Sequence, residues 1–292
     1  MSLIKGGMLD RRGFLKTTAA GAIAASLPMG GAMAQTPKRG GHLRVAIGHG
    51  QTTDTLNPGT YENSFTTSLA YAIHGHLTEV AQDGSLRPEL AESWEASADA
   101  AEWRFKLRKG VTFHSGEPVT VQDVINSINF HRGEDSTSAA GPIVAPIKEV
   151  TAEGDDTVVF TLDGGNADFP FILSDYHIAI CPADGDSIDW RSGDGCGSYV
   201  LKDFSPGVSM AFERNANHWR DDVAWFDSAE VLAIVDQNAR TTALVSGDAD
   251  VADRLDLKTV SLLARNPDIQ INSVAGMQPY TFALDTPGAP FN

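Results

Sequence analysis

EWRFKLRKGVTFHSGEPVTVQDVINSI, residues 102–128, carries two hydrophobic periods in succession. Trp103, Phe105 and Leu107 alternate with Arg104, Lys106 and Arg108, and strict period two marks a strand with one buried face. Lys109-Gly110 turns the chain, Val111-Thr112-Phe113 begins the return, and Gly116 and Pro118 end it. Thr120 then opens a helix, with Asp123 as its capping-box partner and Val121, Val124, Ile125 and Ile128 at helical spacing. His114, Ser115 and Glu117, the residue types of a hydrolytic site, therefore share one turn between strand and helix. Neighbours in an extended turn point apart, whereas a nucleophile, its base and the group orienting that base must converge. These letters spell a structural bend.

The same two periods recur on either side. HLRVAI (42–47) reads as a strand leaving a glycine-rich entry, and residues 51–64, rich in Thr, Asn, Gly and Pro, as loop. FTTSLAYAIHGHLTEV (65–80) reads as a helix, with Leu69, Ile73 and Leu77 at fourfold spacing. VTAEGDDTVVFTLDG (150–164) gives two short strands around Gly154-Asp155-Asp156. Tyr199–Phe204 and VSMAFERN (208–215) are further strands. Asp236 caps a helix that runs through Leu244 and Val245 to Gly247, and Asp256 caps another through Ala264. IQINSV (269–274) closes as a strand. Strands and helices mixed in this order indicate an α/β or α+β architecture.

The first 34 residues read as an export signal rather than as part of the fold. Arg11 and Arg12 precede a weakly apolar stretch, Thr17 to Gly31, and Ala32-Met33-Ala34 offers a cleavage site before Gln35. DRRGFLK (10–16) comes close to the twin-arginine pattern. The formal net charge is −16; losing Lys5, Arg11, Arg12, Lys16 and Asp10 with the signal would take it to −19. Such a surface repels nucleic acid and anionic membranes. Cys181 and Cys196, 15 positions apart, are expected to be able to close a disulfide loop contributing up to about 3 kcal/mol in an oxidising compartment, or else to be two buried thiols.

No chemical constellation survives weighing. Gly193, Gly195 and Gly197 are followed by a strand, whereas a dinucleotide loop opens a helix. His74 and His76 stand two apart, which puts them on different helix faces. Asp184, Asp186 and Asp189 lack the spacing and closing glutamate of a calcium loop. No GxxxxGK[ST] loop and no GxSxG elbow occurs. No catalytic set, metal or cofactor is expected.

Four segments in order carry a family resemblance: GGHLRVAI with DTLNP, the long run from Arg87 to Ile128, GDGCGSYVLKDFSPGVSMAFERNANHW, and AIVDQNARTTALVSGDADV. Together they resemble the bacterial extracellular solute-binding protein family 5, the dipeptide- and oligopeptide-binding proteins of ABC importers. The resemblance implies a periplasmic-binding-protein type II-like clamshell. In it, residues 35–80 and 191–278 build the core of the first lobe, 81–190 form an inserted β-rich subdomain, and 279–292 resemble the crossover strand toward a second lobe missing from this chain. It implies a monomer that captures a small solute, most readily a di- or oligopeptide, in the periplasm and delivers it to a membrane permease. Relatives that take nickel complexes make a metallophore an alternative ligand. A secreted hydrolase using His114 or His177 is the rival from another class. The loops expected to face ligand are Asp54, Thr55 and Leu56, then Tyr61 as a stacking ring, Asn63, and Gly195, Cys196 and Gly197, the glycine-turn amides acting as donors. Cys196 stands where the family's turn usually has threonine.

Overall fold

The computed structural model describes residues 38–273. The export signal expected at 1–34 and the crossover expected at 279–292 lie outside them. The chain opens with β1 (His42–Ile47), α1 (Ser64–Ile73), β2 (Thr78–Val80) and β3 (Leu86–Pro88). A β-rich stretch follows: β4 (Ala91–Ala96), β5 (Glu102–Leu107), α2 (Val121–Phe130), α3 (Gly141–Val144), β6 (Ile147–Glu153), β7 (Thr157–Leu162) and α4 (Phe169–Ile172). After the hairpin β8 (Ala183–Asp184) and β9 (Ser187–Ile188) come β10 (Tyr199–Ser205), β11 (Ser209–Arg214) and β12 (Ser228–Ala233). The last described elements are α5 (Gln237–Ser246), β13 (Val251–Ala252) and α6 (Val260–Leu263).

Residues 102–128 fold as their pattern dictates. Trp103, Phe105 and Leu107 are buried, while Arg104 and Lys106 point outward to Glu153 at 2.9 Å and Glu92 at 2.9 Å. Such exposed ion pairs add little; the aromatic face holds the sheet. The sheet order is β4-β5-β7-β6, all antiparallel, and α2 packs on it through Val124 and Ile128. The rings of Phe105 and Phe160 meet edge to face at 5.5 Å, and Phe169 closes the group.

The α2 cap is satisfied from both sides. Asp123 Oδ2 accepts from the Thr120 amide at 2.7 Å and its hydroxyl at 2.6 Å, while Oδ1 accepts from the Ala183 amide at 2.7 Å. One carboxylate thus starts the helix and pins the β8 strand. Asp123→Ala is expected to cost about 1 kcal/mol, read from urea unfolding, because it removes half of the capping box and the acceptor of the Ala183 amide. A loss below about 0.5 kcal/mol would contradict that role.

The second sheet has the order β10-β11-β12-β1-β13, with β1 parallel to β12 on one side and β13 on the other. Helix α1 lies on it through Phe65, Leu69 and Ile73, which meet Ile47, Met210, Phe212 and Val231. The helix is shorter than its periodicity predicts. It ends at Ile73, His74 takes an extended conformation, and Gly75 pairs with Ile180. Asp256 does not cap a helix with its side chain. The last one spans only Val260–Leu263, and residues 269–273 form no strand.

Candidate functional site

Because β1, β12 and β13 are parallel, their carboxyl ends share one edge, and β1 is where neighbours lie on both sides. In open sheets of this kind ligands sit in the crevice outside such strand ends. Arg240 of α5, 3% exposed, ties the edge together. Its guanidinium donates to the carbonyls of Ile234 and Val235 beyond β12, at 2.6 and 3.1 Å, and to those of Asp253 and Arg254 beyond β13, at 3.0 and 3.2 Å. The Asp253 carboxylate pairs with it at 3.3 Å and accepts from the Gly48 amide beyond β1 at 2.8 Å. One buried side chain therefore joins three strand ends.

Two polar side chains stand outside this frame. Arg254 Nη1 donates to His49 Nε2 at 2.7 Å. A guanidinium can only donate, so His49 accepts there, and its Nδ1 faces Ser64 Oγ at 3.3 Å at the start of α1. Arg254 is not glycine yet has φ 49°, a left-handed conformation that costs energy and clusters at functional sites. Arg254 also borders a cavity of about 950 Å³ shared with Asp253, Leu257 and Ile269. The edge thus presents a guanidinium on a strongly acidic chain, with the Asp253 carboxylate 3.7 Å from its Nε.

The loop residues expected to face ligand mostly hold the loop itself. Asp54 is buried and accepts from the Gln51 amide and from Asn63 Nδ2, both at 2.7 Å. Asn63 caps α1, accepting from the amides of Phe65 and Thr66 at 2.9 and 3.2 Å. Thr55 bonds Thr60 at 3.0 Å, and both Thr55 and Leu56 keep part of their surface exposed. Tyr61 corrects its expected role: it is 0% exposed, packed in the α1 core, and its hydroxyl donates to the Leu56 carbonyl at 2.9 Å. A ring so placed cannot stack on a ligand.

The glycine turn is also committed. The Gly197 amide donates to the Ile73 carbonyl at 2.8 Å, and the Gly195 carbonyl accepts from the His114 amide at 2.7 Å. His114 Nε2 donates to the Gly197 carbonyl at 3.1 Å, so FHSGEP braces this turn as a bend should. Cys181 and Cys196 are both buried and free, the second of the two alternatives that the sequence left open. Cys181 faces His74 Nδ1 at 3.8 Å, while Cys196 lies against Gly75. Missing from the sequence expectations were His49, Arg240, Asp253 and Arg254. Gly48-His49-Gly50 directly after a strand was the available signal for the first.

Burial keeps three histidines neutral, lowering His74 to about 3 and His76 and His131 to about 4. Unfolding returns them to about 6.5, so the unfolded chain binds more protons between about pH 4 and 6.5. Glu89 opposes them: burial raises it to about 8, so in the folded chain it holds a proton that the unfolded chain releases above about pH 4.5. Three histidines against one glutamate give a net uptake on unfolding of about two protons near pH 5.5. Unfolding free energy should therefore rise with pH there. A flat or falling profile between pH 5 and 6 would contradict the buried-histidine assignment.

Among the described residues, no group of three or more His, Cys, Asp or Glu side chains is arranged to hold a metal ion, and no helix is long and apolar enough to cross a membrane. The sequence profile of bacterial extracellular solute-binding proteins, family 5 Middle, matches residues 85–292. The chain belongs to this family. It is similar to the probable D,D-dipeptide-binding periplasmic protein DdpA of Escherichia coli (strain K12), 26% identical over 264 residues, which cover 85% of this chain and 50% of DdpA. The nickel-binding periplasmic protein of the same organism is 27% identical over 251 residues, covering 81% and 47%. Among solved structures, the binding protein AgaA of A. tumefaciens R10, in complex with agropinic acid, superposes with a TM-score of 0.71 at 26% identity, covering 78% of this chain and 46% of AgaA. The mixed α/β fold is thus that of periplasmic binding proteins, and the chain spans about half the length of the curated relatives it matches.

Proposed function

We propose that this chain is the solute-capturing part of an ABC importer in the periplasm, and that the carboxyl edge of β1, β12 and β13 is its ligand face. The observation that carries this is the pair His49 and Arg254, set at three parallel strand ends on a frame that Arg240 keeps rigid. Arg254 is a cation held in a conformation only context can maintain, and it suits a carboxylate. Di- and oligopeptides, which end in one, are the proposed solutes, with Thr55 and Leu56 as further contacts. Binding rather than catalysis is the role, since Ser115 and Glu117 share a braced turn with His114 and are not bonded to it. The same pair would hold a metal only through an acidic chelator, because no group of three His, Cys, Asp or Glu side chains among the described residues is arranged to ligate one.

Calorimetric titration of the full chain with a mixed dipeptide library, then with each binder and its amidated form, tests the reading. Tight binders should lose at least tenfold in affinity on amidation of the carboxyl terminus and on His49→Ala. Equal binding of the amidated peptides would remove the carboxylate assignment.

A further inference from the structure

Helix α1 begins beside His49 and ends, about 15 Å away at 1.5 Å per residue, at a second cavity of about 460 Å³. Glu89 lines it, with His76 Nδ1 at 3.8 Å from Oε2. His76 is 1% exposed and its Nε2 has no hydrogen-bond partner among the described residues. Tyr71, 54% exposed, supplies an open aromatic wall, its ring centre 5.2 Å from that of His76. Trp219 also lines the cavity.

Charge decides what fits. Arg220 is the cation lining this cavity, and it is already held by Glu79 and by Asp222, the latter at 2.8 Å. Glu79 and Asp222 thus take that guanidinium, and the Glu89 carboxyl is left beside the neutral His76. An anion would meet a cation already paired twice. A cation with an apolar body would meet the Glu89 carboxyl and an exposed ring, the combination that binds organic ammonium groups.

We propose that this cavity is a separate binding site for a small organic ammonium ion, with Glu89 as its counter-charge and Tyr71 as its aromatic face. The site lies at the opposite end of α1 from the proposed solute edge and does not depend on it. Burial, the principal cause, keeps the Glu89 carboxyl protonated up to about pH 8 in the empty site. The groups facing it are His76, Glu79 and Arg220, with Arg108 donating to its backbone carbonyl at 3.2 Å. His76 is neutral above about pH 4 and offers no competing charge. A bound ammonium ion favours the ionised carboxylate, so affinity should rise from pH 6 to pH 8.

The test is calorimetric titration of the full chain with choline, and with 3,3-dimethylbutanol as its uncharged isostere. Saturable choline binding is expected at pH 8, at least tenfold weaker at pH 6 and in Glu89→Gln, and at least threefold weaker in Tyr71→Ala. The alcohol should not bind measurably. Tyr71 is half exposed, so its variant stays informative even if Glu89→Gln unfolds. Absence of choline binding at pH 8, equal affinity for the alcohol, or unchanged affinity in both variants would overturn the proposal. Peptide titration of Tyr71→Ala should match the unaltered protein, which separates this site from the strand edge.

Discussion

Gly195→Ala is expected to destabilise the protein by about 3 kcal/mol or more in urea unfolding. A methyl group at this position would lie 2.0 Å from the Ile73 carbonyl oxygen and 2.8 Å from its carbon, both backbone atoms at the end of α1. No rotamer change relieves such a clash. The turn must move away, which breaks the bond from the Gly197 amide to Ile73 and loosens the brace from His114. Gly110→Ala provides the contrast. That glycine has φ 78° with open space around it, so only local strain of about 1 kcal/mol is expected. Similar losses at the two positions would show that close backbone approach is not what position 195 needs.

Arg240→Met should cost about 3–5 kcal/mol and abolish solute binding as well. Methionine fills much of the same volume but leaves four carbonyls without their shared donor and takes the Arg240 guanidinium from Asp253. The three strand ends then lose their common tie, and His49 and Arg254 lose their fixed separation. Arg254→Ala separates the two effects. Arg254 is half exposed on its side chain and outside the frame, so stability should change by less than about 0.5 kcal/mol while solute affinity falls at least tenfold. Full stability in Arg240→Met would show that the edge is held by something else.

Elements with a strong local code were legible before any coordinates. The period-two face of EWRFKL, the Thr120–Asp123 capping box, and the helix from Asp236 to a left-handed Gly247 all stand where their residues indicate. Local chemistry alone decides these. Tertiary contacts decided the rest. His74 leaves the helix because the next residue, Gly75, bridges to Ile180, a partner 105 positions on. Tyr61 turned inward because it stands four residues before Phe65 and its hydroxyl finds the Leu56 carbonyl. Nothing in a polar loop tells which way such a ring points. Spacing permitted a Cys181–Cys196 bridge, but each thiol is directed into a different neighbour, His74 or Gly75.

The site was the least legible part. Arg240 was visible as a member of the D…R…AL…G…D run, yet its role depends on carbonyls contributed by residues before and after its own helix. Arg254 depends on a backbone conformation that no residue type announces. Asp54 and Asn63 were expected to face ligand, but their short side chains fold back on the loop, as Asx side chains do. They build the rim rather than touch what lies beyond it.

The most direct measurement is native and then denaturing mass spectrometry of the protein released gently from the periplasm of its own host, beside Arg254→Ala prepared in the same way. A small solute is expected that adds mass to the native protein, leaves on denaturation, carries a carboxylate, and is absent from the variant. Native protein without bound solute, or a variant that retains the same solute, would contradict the claim that this strand edge is the ligand face.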